Sequence, residues 1–176
     1  MKIQFPNIAI VGTGAMGRGI AQIAAQAGSQ VFLLDANPGA ADAARAALQE
    51  QWNKLVAKGR IEADQATALT ARLHPVKTAA DLAACDLVVE AIVERLDAKQ
   101  ALFVELEGVV RADAVLATNT SSLSVTAIGA ALKRPERLAG FHFFNPVPLM
   151  KVVEVIAGLK TDPAICTALA AYAKEM

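Results

Sequence analysis

The stretch NIAIVGTGAMGRGIAQIAAQAGSQVFLLD, residues 7–35, constrains the fold more than any other part of the chain. An apolar run ends in a glycine-rich turn. A helical pattern opens at once, and a second apolar run follows it. NIAIVG (7–12) reads as a buried strand, MGRGIAQIAAQAG (16–28) as a helix closed by Gly28, and QVFLLD (30–35) as a second strand. Strand, helix, strand in this order requires a parallel pair with the helix crossing over one face.

The rest of the chain repeats the alternation. Helices are expected over 38–58, with Pro38 as the first helical residue, and over 62–73. An extended piece (74–78), a strand (85–92), a helix (96–110), a strand (114–120) and a short helix (124–132) follow. Residues 137–144 and 150–156 read as two more strands, and 161–176 as a last helix with Asp162 as N-cap and Pro163 in its first turn. The fold class expected is α/β: a doubly wound, mostly parallel sheet of Rossmann-like type, with an antiparallel pair of strands at the C-terminal end. One domain over 1–176 is expected. The last helix shows no stop signal before Met176, so the chain is expected to be cut within a longer protein.

The glycines carry a specific meaning in this context. Gly12, Gly14 and Gly17 fit G-x-G-x-x-G between a strand and a helix. Gly12 permits the tight turn, Gly14 lets a pyrophosphate approach the backbone, and Gly17 lets helix and strand pack closely. The helix N-terminus attracts the phosphates. Asp35, at the end of the second strand, suits ribose hydroxyls and repels a 2′-phosphate, which favours NAD over NADP.

Two further stretches are candidates for chemistry. ATNTSSLS (117–124) follows a strand in the second half of the sheet, so Asn119, Ser121 and Ser122 fall at the expected ligand mouth. Helix capping explains these residues equally well. GFHFFNPVP (140–148) places one of the chain's two histidines among three phenylalanines. If 137–144 and 150–156 form an antiparallel pair centred near Pro148, residues whose numbers sum to 296 face each other. His142 and Glu154 are then direct cross-strand neighbours. A carboxylate beside an imidazole fixes its tautomer and stabilises imidazolium, as a general base needs. A His–Glu pair that merely satisfies two polar side chains is the other reading, and the pattern alone leaves both open.

Composition narrows the classes. Lys and Arg number 17, and so do Asp and Glu. This balance gives no reason to expect nucleic acid or an anionic membrane as partner. No apolar run approaches the roughly 20 residues of a membrane helix. Cys85 and Cys166 have no metal-ligand spacing and read as small hydrophobes; no metal is expected. A soluble, cytoplasmic protein is the expectation.

GTGAMGRGIA, VVEAIVE, TNTSSLSVT and GFHFFNPVPLMKVVEVI together resemble the NAD-binding domain of the L-3-hydroxyacyl-CoA dehydrogenases, over about residues 7–158. The resemblance implies reversible oxidation of a 3-hydroxyacyl-CoA thioester to the 3-ketoacyl-CoA. His142 is then the base, Glu154 its partner, Ser121 a ligand of the substrate oxygen, and Asn119 a neighbour of the nicotinamide. Ser121 is chosen over Ser122 by its spacing to the histidine. Asn145 matches a position near the site, Glu94 and Lys99 match positions near the cofactor, and Lys58 loosely matches a basic position that meets the CoA phosphates. For Glu94, Lys99 and Lys58 the alternative is a solvated charge. The acyl group implied is short and straight, as in β-oxidation, or dicarboxylic, as in phenylacetate degradation. The family's second, helical domain closes the acyl site and makes a homodimer. Without it the chain is expected to bind NAD and turn over poorly. Two other readings stand beside this one: a non-catalytic dinucleotide sensor or interaction domain, and a dehydrogenase of free hydroxy acids.

Overall fold

The computed structural model describes residues 4–176. Its first strand, β1 (Asn7–Val11), and the turn after it lead into α1 (Ala15–Ala27), which ends at Gly28 with φ 111°. The Gly28 N–H reaches back to the carbonyls of Ala24 and Ala25, as a helix-ending glycine does. Next come β2 (Gln30–Leu34), α2 (Ala40–Ala57), α3 (Ala63–Ala71) and β3 (Leu73–Pro75). The second half holds β4 (Leu87–Glu90), α4 (Leu96–Val109), β5 (Val115–Thr118), α5 (Val125–Gly129), β6 (Leu138–Phe143), β7 (Val153–Ala157) and α6 (Pro163–Ala173).

The seven strands lie in the order β3-β2-β1-β4-β5-β6-β7. Every neighbouring pair is parallel except β6 and β7. From β1 the chain runs outward through β2 and β3, then returns to place β4 on the other side of β1. The order therefore reverses between β1 and β4, where a doubly wound sheet opens a crevice for ligands. This is the α/β, Rossmann-like architecture read from the sequence, with its antiparallel pair at the C-terminal end.

Period-two alternation splits the core between the two faces. Ile8 and Ile10 pack with Ile20 and Ala24 of α1 and with Leu48 and Trp52 of α2. Ala9 and Val11 face the other way, with Val88, Phe103, Leu106 and Ile128. Phe141 and Phe143 join the first cluster, together with Leu169 and Tyr172 of α6. His142, between them in sequence, is turned to the opposite face.

Several boundaries differ from the sequence reading. α2 begins at Ala40, not Pro38, because Gly39 takes φ 80° and the Ala40 N–H closes a turn onto the Asn37 carbonyl. α3 stops at Ala71 so that Leu73–Pro75 can pair with β2. α5 is only Val125–Gly129, with the Ser124 hydroxyl accepting from the Ala127 N–H. β7 starts at Val153, and α6 ends at Ala173, short of the last residues. Cys85 is buried and Cys166 half-buried, and both are free thiols.

Candidate active site

The glycine turn answers three separate steric demands. Gly12 has φ 92°, and a Cβ there would stand 2.5 Å from the Ala91 carbonyl oxygen. A Cβ on Gly17 would stand 1.8 Å from the Gly12 carbonyl oxygen. Helix and turn touch at that point and leave no room for a side chain. Gly14 is different: a Cβ there meets nothing within 4 Å. Its emptiness is on the outside of the turn, at the N-terminus of α1, whose first turn carries no acidic residue.

Asp35 ties this turn to the end of β2. One carboxylate oxygen accepts from the Thr13 N–H (2.7 Å) and the Thr13 hydroxyl (2.8 Å). The other accepts from the Asn37 N–H (2.9 Å) and the Asn37 side-chain amide (3.1 Å). Burial pushes the Asp35 carboxyl up, but these hydrogen bonds outweigh it and hold it below the usual aspartate value. An ionised acid at this strand end, an open cradle at Gly14 and a helix N-terminus fit a dinucleotide.

Beside the turn, at the carboxyl ends of β4, β5 and β6, lies a cavity of about 330 Å³. Six of the candidate residues line it: Glu94, Lys99, Asn119, Ser121, His142 and Asn145. They come from the loop after β4, helix α4, the loop after β5, strand β6 and the loop after β6, so the fold assembles what the sequence scatters. Lys58, exposed at the end of α2, does not line the cavity.

β6 and β7 pair with His142 opposite Glu154, the register read from the sequence. His142 Nδ1 lies 2.8 Å from Glu154 Oε2. The histidine side chain is 15% exposed and the glutamate 54%. A carboxylate accepts only, so Nδ1 carries the hydrogen, and in a neutral imidazole Nε2 is then the nitrogen with the free lone pair. Asn119 braces this wall. Its Oδ1 accepts from the Phe143 N–H (2.9 Å), and its own N–H donates to the Glu90 carbonyl (2.9 Å). It thereby joins the ends of β4, β5 and β6.

Glu94 organises the serine turn. It accepts from the Thr120 hydroxyl, from the N–H groups of Ser121 (3.1 Å) and Ser122 (3.3 Å), and pairs with Lys99 Nζ at 3.2 Å. Burial raises the Glu94 carboxyl, but the Thr120 hydroxyl and the Lys99 charge outweigh that and hold it down to about 2. Lys99 is not a solvated charge: its side chain is 1% exposed, and its second partner is Glu90 Oε1 at 2.5 Å. Glu90, fully buried at the end of β4, was not singled out in the sequence. Its one signal is a carboxylate closing the otherwise apolar strand LVVE.

Residues 7–176 match the family model of the 3-hydroxyacyl-CoA dehydrogenase NAD-binding domain. The chain belongs to this family. NAD is the cofactor of this domain. The chain is 47% identical over 161 residues to the 3-hydroxyadipyl-CoA dehydrogenase of Escherichia coli K12, covering 92% of this NAD-binding domain and 34% of that protein. It is 39% identical over 174 residues to the probable 3-hydroxybutyryl-CoA dehydrogenase of Bacillus subtilis 168, covering 99% of this chain and 61% of that one. A crystal structure of 3-hydroxybutyryl-CoA dehydrogenase from E. coli K12 matches with a TM-score of 0.94 at 43% identity, over 99% of this chain and 37% of the other. The chain thus spans between 34% and 61% of the length of these two curated relatives. No helix among the described residues is long and apolar enough to cross a membrane.

Proposed function

We propose that this domain serves an NAD-dependent oxidation of a 3-hydroxyacyl-CoA to the 3-ketoacyl-CoA, with His142 as general base. The observation that carries the reading is the His142–Glu154 pair at 2.8 Å, with His142 lining a cavity shared with Ser121, Asn119 and Asn145. His142 Nε2 takes the proton of the 3-hydroxyl. Glu154 accepts from Nδ1–H and stabilises the imidazolium that forms. Ser121 holds the substrate oxygen by its hydroxyl, while Glu94 fixes the backbone that carries Ser121. Asn119 and Asn145 supply amide groups on the nicotinamide side of the cavity, and Lys99 supplies a charge there. Gly12, Gly14, Gly17 and Asp35 hold the dinucleotide along the crevice between β1 and β4. When bound, NAD supplies the acceptor for the hydride lost from C3. Lys58 meets the CoA phosphates at the outer end. The whole protein carries a helical second domain that covers the β7 edge and forms a homodimer, and it works in the cytoplasm. This chain alone binds NAD and turns over slowly, a reading supported by its partial coverage of the relatives.

The test follows NADH oxidation by acetoacetyl-CoA in this chain and in His142→Gln. The expected result is a slow rate with the parent, a fall of about a hundredfold or more in the variant, and an unchanged Kd for NADH. Equal rates in the two would remove His142 from the mechanism. NADH binding with neither turnover nor acetoacetyl-CoA binding would favour the non-catalytic binding module.

A further inference from the structure

Glu90 has no part in the proton transfer just described, yet it is the most deeply buried acid of the site. It sits at the end of β4, across from Val11 on one side and Thr118 on the other. A buried carboxylate costs several kcal/mol unless donors surround it, and three do. The Ile92 N–H donates at 2.7 Å, the Thr118 hydroxyl at 2.7 Å, and Lys99 Nζ at 2.5 Å. Lys99, in turn, is met only by the carboxylates of Glu90 and Glu94 among the described residues. Two carboxylates thus meet one ammonium, a formal charge of minus one for the cluster.

The cluster reaches the serine turn by two routes. Lys99 pairs with Glu94, which accepts from the backbone of Ser121 and Ser122. The Thr118 hydroxyl, which donates to Glu90, accepts from the Thr120 N–H at 3.3 Å. Lys99 and Glu94 also line the cavity beside Asn119.

We propose that Glu90 is a positioning residue that locks Lys99 against Glu94 and leaves this cluster on the nicotinamide side of the cavity with one net negative charge, which shifts the balance of cofactor binding towards the oxidised form. The proposal rests on the reading of this cavity as the nicotinamide and substrate site. The oxidised ring is cationic and the reduced ring is neutral. A net negative charge in a half-buried site attracts the first and leaves the second nearly indifferent. Without the Glu90 charge, Lys99 neutralises Glu94 and the preference falls.

The experiment measures Kd for NAD+ and for NADH by calorimetry on this chain, in the parent, in Glu90→Gln and in Glu90→Gln/Lys99→Met. Glu90→Gln should weaken NAD+ relative to NADH by roughly tenfold, the size expected of a unit charge near a partly screened site. The double variant removes one charge of each sign, keeps the net charge of the parent and leaves no unpaired buried ion. Its ratio of the two constants should match the parent's within about twofold. A purely structural Glu90 would weaken both cofactor forms alike, and an unchanged ratio in Glu90→Gln overturns the proposal. If that variant fails to fold, Glu94→Gln decides, because it removes one unit of negative charge from a side chain that is 38% exposed: a fall in NAD+ affinity relative to NADH supports the proposal, and an unchanged ratio overturns it. A parent that binds neither form would overturn the reading of the cavity itself, and this proposal with it. A parent that binds both forms but shows no shift in the variant overturns this proposal alone.

Discussion

At the glycine turn, the polar groups find their partners within the fold, whereas at the β6–β7 wall the key carboxylate leans out into solvent. Asp35 accepts four hydrogen bonds from Thr13 and Asn37, and Gly17 is pressed onto the Gly12 carbonyl. Glu154 holds His142 by one contact, is 54% exposed, and lies on the edge strand of the sheet. Near it in sequence Leu149 (75% exposed), Met150 (43%) and Val152 (54%) show apolar surface to water. The first wall is finished by its own chain. The second has its geometry but lacks the exclusion of water that makes a charge pair strong. A dinucleotide cradle is therefore expected to work in this chain as it stands, and the base pair to gain strength only when that edge is covered.

The largest effect should come from the finished wall. Gly17→Ala drives a Cβ into the Gly12 carbonyl, where backbone cannot yield without moving the turn. It should cost about 3 kcal/mol, at the upper end for overpacking, and lower the urea midpoint accordingly. Gly14→Ala is its control, because a Cβ there meets nothing within 4 Å. Its midpoint should stay with the parent's while NADH affinity falls about tenfold, or roughly 1.4 kcal/mol. An unchanged affinity in Gly14→Ala would place the phosphates elsewhere and break the contrast between the two glycines.

At the open wall, Glu154→Gln should separate function from stability. The side chain is exposed, so its removal should change stability by less than about 0.5 kcal/mol. Turnover should fall about tenfold with little change in KM, because the charge acts on the imidazolium and not on substrate binding. A Tm several degrees lower, with turnover intact, would make the pair a brace for the edge strand.

How much of this was legible in the sequence differs between the walls in an instructive way. The register that sets His142 opposite Glu154 could be read because two apolar strands each yield one polar position, and a single loop fixes their spacing. The glycine turn could be read because its three demands are local. Lys99 could not. A lysine in the first turn of α4 reads as a solvated charge, and what buries it is Glu90, nine residues earlier on another element. That contact is set by the order of the sheet, which hydrophobic periodicity does not carry. The start of α2 was misplaced for a smaller reason: Pro38 suits a first helical turn, but Gly39 beside it takes a left-handed conformation that holds the helix off until Ala40.

The smallest effect should show how far electrostatics holds the serine turn that links the two walls. The Glu94 carboxyl lies at about 2 in the folded protein, against an ordinary value of 4.5. An acid depressed by folding contributes stability above its unfolded value and loses it as pH falls towards the folded one. Glu94 should therefore contribute at pH 7, and its contribution should drain away between pH 4.5 and about 2. The group is 38% exposed, so solvent screening reduces the contribution to about 1 kcal/mol. Urea melts of the parent and Glu94→Gln at pH 7, 4 and 2.5 would measure it. The two curves should converge with acid, the parent falling more steeply. Curves that stay parallel would mean that the Thr120 and Ser121 donors hold a neutral side chain equally well. The serine turn would then be fixed by hydrogen-bond geometry, and the charge on Glu94 would matter to the cofactor alone.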